Sequence, residues 1–305
     1  MTSQPWSSLI AFATPPARRL ITLGVTLAMG AAVLSAPAAV AAAPPEGTYW
    51  HTRTITTSPH PWRFGSKSDP YALVQREIVE RWNAPDGKSW TGFRELGTLP
   101  RTTADKKAWR RDGSPSQGSE SIDGKTAKLS AEPGKGRVGP EPKARNQFQF
   151  AGQWLTYDEV QRLPADPNRL KDWLTNAGRV GREDDLPGWL KYTLTELLHD
   201  IPAPKEVRAA AYQALLTLPG ARPGGNPKDN LGRPGAAIVL DHSAGTGKHA
   251  YSTRTRLIVD TGRMVLLSRL IQDTVDGKAS ADTSYDTTLI EVGWTNTHPT
   301  VPALP

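Results

Sequence analysis

The sequence predicts an α+β protein, in which a curved and mostly antiparallel sheet, similar to a half-barrel, carries helices on its concave face. Three observations support this fold class. Apolar residues alternate along the first part of the chain, follow a helical spacing in the middle and alternate again near the end. Turn signals such as Asp86-Gly87 and Asp260-Thr261-Gly262 separate the alternating stretches. Neither group of strands is large enough to bury an apolar face alone, so both are expected in one sheet.

The N-terminal strands are predicted over residues 47–57, 71–82 and 89–99, which are rich in β-branched and aromatic side chains. Residues 106–111 are predicted to add a short fourth strand. The stretch 112–146 is dominated by Gly, Ser, Pro and charged residues. Such a composition buries little apolar surface, so we predict a long mobile loop there.

Four helices are predicted in the middle of the chain. Thr156 and Glu159 form a capping-box pattern at the start of the first, and Asp166 followed by Pro167 begins the second. The third covers residues 187–200. The fourth follows Pro204, with apolar residues three and four positions apart. The remaining strands are predicted over residues 236–242, 252–259, 264–272 and 287–294.

Residues 1–43 have the layout of an export signal. Two arginines precede an uncharged apolar stretch, and Ala39-Val40-Ala41 supplies a small-residue cleavage site. We therefore expect residues 44–305 to be one exported domain, secreted or held in the cell envelope. The competing interpretation is an uncleaved single-pass membrane anchor over residues 20–43, a stretch long enough to span a bilayer. Membrane contact is expected only in that second case.

Composition excludes several classes of function. The 305 residues contain no Cys, which excludes disulfide scaffolds, Cys-ligated metal sites and catalytic thiols. The formal net charge is +7, but charges of opposite sign alternate, as in Arg76-Glu77 and Glu80-Arg81. Nucleic-acid-binding proteins cluster their basic residues instead, so no nucleic-acid partner is predicted. The oligomeric state is left open.

Several ordered patterns carry a family resemblance. They are Tyr49-Trp50-x-x-Arg53-Thr54, Leu163-Pro164-x-Asp166-Pro167-x-x-Leu170, Arg208-Ala209-Ala210-x-Tyr212-x-Ala214-Leu215-x-x-Leu218-Pro219-Gly220 and Asp229-x-x-Gly232-Arg233-x-Gly235-x-Ala237. Together they resemble an actinobacterial family of exported or membrane-tethered envelope proteins that has no agreed activity. The resemblance implies a location and a fold, and it provides no catalytic residue. The layout is also similar to the half-barrels of bacterial lipoprotein carriers, an analogy of fold alone.

Candidate catalytic and metal-binding patterns all favour structural roles. Asp241-His242-Ser243 contains the residue types of a hydrolase triad, but neighbours on a strand point to opposite faces. The segment between His242 and His249 departs from a phosphate-binding loop and has no third metal ligand nearby, so a hairpin turn is predicted. Glu183-Asp184-Asp185 precedes a helix and complements its dipole. No catalytic residue, metal or cofactor is therefore predicted.

The ten Trp residues are the most unusual feature of the composition. Core packing is the favoured role for any one of them, because Trp is a large core filler, and the alternative is a ligand cavity between sheet and helices. The residues predicted to line this cavity are Trp50, Trp82, Trp90, Trp173, Leu194 and Leu215. The predicted function is non-catalytic binding of an apolar small molecule, a lipid or a protein partner. The alternatives are a membrane-tethered accessory or sensor ectodomain, and a hydrolase marked by titratable residues that converge in a cleft.

Overall fold

The computed structural model describes residues 45–122, 125–142, 146–245, 251–275 and 278–305. The predicted export signal lies outside these residues. The first part of the chain forms β1 (Tyr49–Ser66), β2 (Asp69–Asn83), β3 (Ser89–Pro100), α1 (Thr103–Arg111), β4 (Gln117–Ile122), β5 (Lys125–Ser130), β6 (Arg137–Pro140), β7 (Phe148–Phe150) and β8 (Gln153–Leu155). The helices that follow are α2 (Tyr157–Gln161), α3 (Pro167–Gly181), α4 (Leu186–Glu196) and α5 (Lys205–Leu216). The last strands are β9 (Ala221–Pro223), β10 (Ala236–Ala244), β11 (Tyr251–Asp260), β12 (Val265–Val275) and β13 (Lys278–Thr295).

Nine strands form one open, curved antiparallel sheet in the order β6-β3-β2-β1-β13-β12-β11-β10-β9. The two strand groups join where β1 pairs with β13, from Tyr49 opposite Thr295 to Thr57 opposite Asp286. Two further hairpins, β4–β5 and β7–β8, stand apart from this sheet. The α+β class and the joining of both strand groups in one sheet are therefore confirmed.

The main core lies between the concave face of the sheet and the helices. Among the described residues, thirty buried side chains form it, and most come from α3, α4, α5 and the facing sides of the last strands. Leu170, Leu194 and Leu215 are fully buried from the helix side, and Ile238 and Leu257 from the sheet side. Burying a Leu or Ile side chain contributes about 1.5–3 kcal/mol, so this layer supplies most of the stabilisation.

The predicted helix starts are confirmed by side-chain caps. Thr156 Oγ1 accepts from the main-chain amide of Glu159, whose carboxylate accepts from the Thr156 amide at 2.7 Å. Asp166 accepts from the amides of Asn168 and Arg169. These caps satisfy amides that a helix terminus leaves without intrahelical partners.

Residues 106–111, predicted as a strand, belong to helix α1, so that prediction is wrong. Thr102 and Asp105 form a capping box at the start of this helix. The Asp105 carboxylate also accepts from the main-chain amide of Ala72 on β2 at 2.8 Å, which anchors the helix to the sheet. Six residues were too few to separate strand alternation from helical spacing.

The prediction of a loop over residues 112–146 is wrong for three stretches of it. Strands β4 and β5 form a hairpin, and β6 extends the main sheet along the edge of β3, from Phe93 opposite Arg137 to Trp90 opposite Pro140. A composition poor in apolar residues does not prevent this, because an edge strand offers unpaired main-chain groups to any extended segment.

The face of the sheet opposite the helices is called the outer face. Trp50 belongs to the concave-face core, so the neighbouring residue His51 lies on the outer face, where its ring stacks on Trp82 at 4.9 Å. Trp90 is paired with Trp82 and lies on this face too. After β13, residues 296–305 cross it without forming a helix or strand. In the part of the chain that the structure describes, no helix is long and apolar enough to cross a membrane.

Candidate functional site

The sheet opens at one end between β12 and β13. The two strands are paired from Ser268, opposite Thr288, to Val275, opposite Lys278. The residues of β12 between the β11–β12 turn and Ser268 are not paired with β13. On the turn side of Ser268, arginine side chains reach the carbonyl groups of the two strands. The guanidinium of Arg263, in the turn itself, donates to the Val292 carbonyl at 2.6 Å.

Arg233 bridges the same opening. Its guanidinium donates to carbonyl groups on both strands, namely those of Leu267, Leu289 and Ile290. Asp229 holds it in place through bonds to Nε and Nη2 at 2.8 and 2.6 Å, and the Asp229 side chain is fully buried. The Asp229-x-x-Gly232-Arg233 pattern thus has a structural explanation: it places a charged bridge inside the sheet. Breaking such a buried ion pair leaves an uncompensated charge.

A cleft of about 880 Å³ lies at this open end. It is bounded by the first residues of β1, the end of β13, the β11–β12 turn, α2 and the start of α5. Polar atoms supply most of its lining surface. Ligand sites are concave and typically occupy about 300–1,000 Å³, so the volume suits a small organic molecule or a short polymer segment.

Three aromatic rings form one wall of the cleft. Trp294 packs edge-to-face on Trp50 (5.8 Å, 79°), and Tyr157 packs edge-to-face on Trp294 (6.1 Å, 68°). Trp50 is 3% exposed, and its indole nitrogen donates to the His199 carbonyl at 2.7 Å. Trp294 and Tyr157 are half-buried. Their rings are therefore the ones that a ligand reaches, while Trp50 supports them from below.

Arg208 holds the rear of the cleft. Its guanidinium lies 5.3 Å from the centre of the Trp50 ring and donates to the carbonyl groups of Ala203, Met264 and Arg263. Burial lowers the pKa of Arg208 to about 10, so it remains charged at neutral pH. Because its donors already bond to main-chain carbonyls, Arg208 holds α5 against the β11–β12 turn and has a structural role in the cleft.

Charges of both signs surround the opening. The charged side chains that line it and are exposed are Glu46, Lys205, Glu206, Arg263 and Glu291. One carboxylate oxygen of Glu291 also lies 3.3 Å from Nδ1 of His51. The rim thus offers both hydrogen-bond donors and acceptors next to the aromatic wall.

Four of the six predicted cavity residues lie on the concave face. Trp50, Leu194 and Leu215 are buried in the main core, and half-buried Trp173 packs against it, with its ring stacked on Phe150 at 6.2 Å. They are part of a filled layer between sheet and helices. Trp50 alone among these four also lines the cleft.

The other two predicted cavity residues, Trp82 and Trp90, lie on the outer face. Trp82 is buried, and Trp90 is half-buried with its ring edge-to-face on Tyr49 at 5.6 Å. Since the sheet separates this pair from the other four residues, the six side chains do not enclose a common cavity.

The Asp241-His242-Ser243 sequence does not form a triad, as strand alternation predicted. Asp241 pairs with Arg222 and Arg254, while His242 points to the N-terminus of α4, with Nε2 2.7 Å from the carboxylate of Asp185. Burial acts to raise the pKa of Asp185, but bonds from the Gly188 amide and from His242 outweigh it and leave the pKa lowered. The contact joins α4 to β10.

A second group of titratable side chains lies on α4 and in the turn that follows it. Tyr192, Glu196 and Asp200 follow one another at four-residue spacing, and Asp200 lies 3.7 Å from Arg81 of β2. Burial, together with the charge of Asp200, raises the pKa of Glu196 to about 7. Burial lowers the pKa of the neighbouring His199 to about 4. Sequence reasoning did not select this group, although its spacing was visible.

The cleft itself was also missed, because its walls come from five separate parts of the chain. Its visible signals were Trp294 and the two arginines at the open end of the sheet, Arg233 and Arg263. Of these three residues, only Arg233 belongs to one of the ordered patterns.

The chain matches no protein-family model and no curated protein, so the actinobacterial envelope family stays a prediction. Among the described residues, no three His, Asp or Glu side chains are placed to hold a metal ion.

Proposed function

We propose that this chain is an exported, non-catalytic binding protein of the cell envelope, and that the end cleft is its binding site. The observation that carries the proposal is the half-buried Trp294–Tyr157 wall, bordered by charged side chains of both signs, in a cleft of about 880 Å³. The envelope location rests on the export signal predicted over residues 1–43.

The chemistry of the cleft favours a saccharide. A sugar ring has an apolar C–H face and an edge of hydroxyl groups that both donate and accept hydrogen bonds. The rings of Trp294 and Tyr157 match the apolar face. Carboxylates such as Glu206 accept from hydroxyl groups, and Arg263 and Lys205 donate to them. An envelope polysaccharide is a chain of such sugar rings, and it is present outside the cytoplasm.

An entirely apolar ligand suits this cleft less well. Most of the lining surface is polar, and an apolar chain would remove water from these groups without replacing its hydrogen bonds. The layer between sheet and helices, where an apolar ligand was first expected, is occupied by the buried side chains of the core. A lipid therefore becomes the competing outcome of the binding test.

The test is co-sedimentation of the purified protein with insoluble actinobacterial cell wall, compared with phosphatidylglycerol vesicles. We expect sedimentation with the wall and none with the vesicles. Tyr157→Ala should weaken wall binding about tenfold, as expected when a stacking ring worth about 1.4 kcal/mol is lost. Tyr285→Ala is the matched control, because Tyr285 is 49% exposed and lies outside the cleft lining.

Three outcomes would contradict the proposal. Equal loss of binding in both tyrosine variants would place the ligand elsewhere. Binding to vesicles but not to wall would assign an apolar ligand. Release of new reducing ends from the wall would show catalysis.

The hydrolase alternative is favoured by one observation, the group around Glu196. A carboxyl group with a pKa near 7 is suited to proton donation at neutral pH. Its test is Glu196→Gln: this variant should bind wall as the unmodified chain does if the protein is a binder. If reducing ends are released and Glu196→Gln stops that release, the chain is an enzyme.

A further inference from the structure

Residues 296–305 pack on the outer face against β1 and β3 and form neither helix nor strand. The segment contains proline at every third position, Pro299, Pro302 and Pro305. Three residues per turn is the repeat of a polyproline II helix, which places these prolines on one side. Pro302 is buried and Pro299 half-buried, whereas Pro305 and residues 300, 301, 303 and 304 are exposed. The segment therefore packs on the sheet through the side that carries Pro299 and Pro302.

The surface beneath it is shaped for a proline. A Cβ atom built on Gly92 would lie 2.9 Å from Cδ of Pro302, so the absence of a side chain at Gly92 makes room for the proline ring. A Cβ atom on Gly136 would lie 2.8 Å from Val301 in the same way. Tyr49 lies at the other end, with its ring 6.1 Å from that of His298. We call the surface formed by Tyr49, Arg53, Gly92 and Gly136 the outer groove.

Arg53 gives the outer groove a specific polar contact. Its Nη2 donates to the main-chain carbonyl of Ala303 at 2.7 Å, and its Nη1 pairs with the buried Glu80 at 2.9 Å. The guanidinium is thus fixed from one side and presents a donor to a peptide carbonyl on the other. Any extended peptide in this position offers the same acceptor, because the carbonyl belongs to the main chain.

An additional donor lies on the same face. The indole nitrogen of Trp82 is buried and has no hydrogen-bond partner among the described residues. A buried donor without a partner costs about 1–3 kcal/mol. Residues 296–305 cover the same face and leave this donor unsatisfied.

We infer that the outer groove is a recognition surface for a proline-rich, polyproline II segment of another envelope protein, and that residues 296–305 occupy it as an internal ligand. Aromatic-lined grooves that take prolines at three-residue spacing are a recurring mode of peptide recognition. None of the four residues that define the outer groove lines the end cleft, although His51, between Tyr49 and Arg53 on the same strand, does. Recognition of a proline-rich segment in the outer groove does not depend on the proposed saccharide binding.

The internal ligand is held by contacts that a partner can replace. Among the described residues, its polar contacts are the Arg53 bond to Ala303, the contact between Tyr49 Oη and His298 (3.4 Å), the bonds between Thr48 and Asn296, and the bond from the Thr297 amide to Thr295 Oγ1. In contrast, each strand of the main sheet is held by a ladder of main-chain bonds. Displacement therefore requires only local opening of residues 296–305 and leaves the sheet intact.

The probe is a fluorescein-labelled synthetic peptide with the sequence of residues 296–305, titrated into the full chain and followed by fluorescence anisotropy. The double variant Pro299→Ala, Pro302→Ala weakens the internal ligand. We expect it to bind the peptide at least about tenfold more tightly than the unmodified chain, since the intramolecular competitor is reduced. A peptide with alanine in place of Pro299 and Pro302 should bind neither protein.

Two glycine variants locate the binding. Gly92→Ala, added to the double variant, places a methyl group where the proline ring sits and should remove peptide binding. Gly139→Ala is the matched control on β6, because a Cβ atom there meets nothing within 4 Å. A second opened form, Asn296→Ala with His298→Ala, loosens the start of the segment and tests the inference independently of the prolines.

Absence of peptide binding in both opened forms, with near-ultraviolet circular dichroism unchanged, would overturn the inference. Binding that survives Gly92→Ala would place the peptide elsewhere and overturn it too. If light scattering shows that the unmodified chain dimerises and the peptide dissolves the dimer, the groove serves a second copy of this chain, which contradicts the assignment to another protein.

Discussion

The two faces of the sheet are covered in different ways. The concave face is covered by helices that bury a continuous apolar layer of thirty residues. The outer face of β1–β3 carries a charged group instead, in which buried Glu80 lies 3.1 Å from His51 and 2.9 Å from Arg53. Its cover is the segment 296–305, in which one proline is buried. The comparison teaches that one face of the sheet is held by a packed apolar layer and the other by polar contacts and a single proline.

Physical chemistry explains why this division is useful. An apolar layer is stabilised by the burial of apolar surface and by close packing. Displacing an element of the layer would lose both. Charged and main-chain groups are stabilised by contacts that a ligand of the same geometry is able to reproduce. The concave face is therefore permanent, and the outer face is suited to exchange.

The largest expected effect tests the concave face. Leu215→Ala removes a fully buried side chain from the layer and should lower the free energy of unfolding by about 3–4 kcal/mol, through lost burial and the cavity left behind. Leu304→Ala, in the outer segment and 51% exposed, is the control and should leave the value unchanged. Urea denaturation measures both. Equal losses would mean that the outer segment contributes to stability as the core does.

A smaller effect tests the charged group of the outer face. Glu80→Gln keeps the shape of the side chain but removes the charge that compensates Arg53, so about 2–3 kcal/mol of stability should be lost. Asp69→Asn is the same kind of change on the same strand, at an exposed pair with Arg111, and should have no measurable effect. Thermal unfolding of the two variants distinguishes them, and a Glu80→Gln variant as stable as the control would contradict the account.

The smallest effect concerns the edge of the concave face, where Glu196 of α4 interrupts the apolar layer. Its pKa of about 7 lies above the ordinary glutamate value of 4.5, so the folded chain binds this proton more tightly than the unfolded one. The resulting stability is present below pH 4.5 and is lost as pH rises through 7. Glu196→Gln should therefore match the unmodified chain near pH 4.5 and exceed it at pH 8 by on the order of 1–2 kcal/mol.

The lowered pKa of His199 acts in the opposite direction between pH 6.5 and 4, where protonation disfavours the folded state. Because both proteins contain His199, its contribution cancels to first order in the difference between them. Urea denaturation across pH 4.5–8 measures that difference. If the two proteins differ in their free energy of unfolding by the same amount at every pH, the pKa of Glu196 is the same in the folded and the unfolded chain.

The sequence predicted the regular part of this fold and missed what depends on distant contacts. Alternation predicted β1–β3 and the last strands, and the Thr156–Glu159 and Asp166 patterns located helix starts, because those signals are local. Strand β6 was missed because its stability comes from the edge of β3. Asp229 and Arg233 could be recognised as a pattern, but that their side chains bridge the opening between β12 and β13 depends on tertiary structure.

The end cleft and the outer groove also depend on contacts between residues that are distant in the sequence. Trp50, one of the predicted lining residues, does line the cleft, but its neighbours on the wall, Trp294 and Tyr157, lie far away in the chain. The prolines at positions 299, 302 and 305 had a visible period of three, which acquires meaning only once Gly92 is seen beneath Pro302.

The most direct test of the central claim is the indole N–H resonance of Trp294 in ¹⁵N-labelled protein, followed while soluble fragments of wall glycan are added. The account predicts that this resonance shifts and saturates with glycan, while that of Trp109, which packs in a separate cluster beside α1, stays in place. A Trp294 resonance unmoved by glycan at saturating concentration would contradict the assignment of the cleft as the binding site.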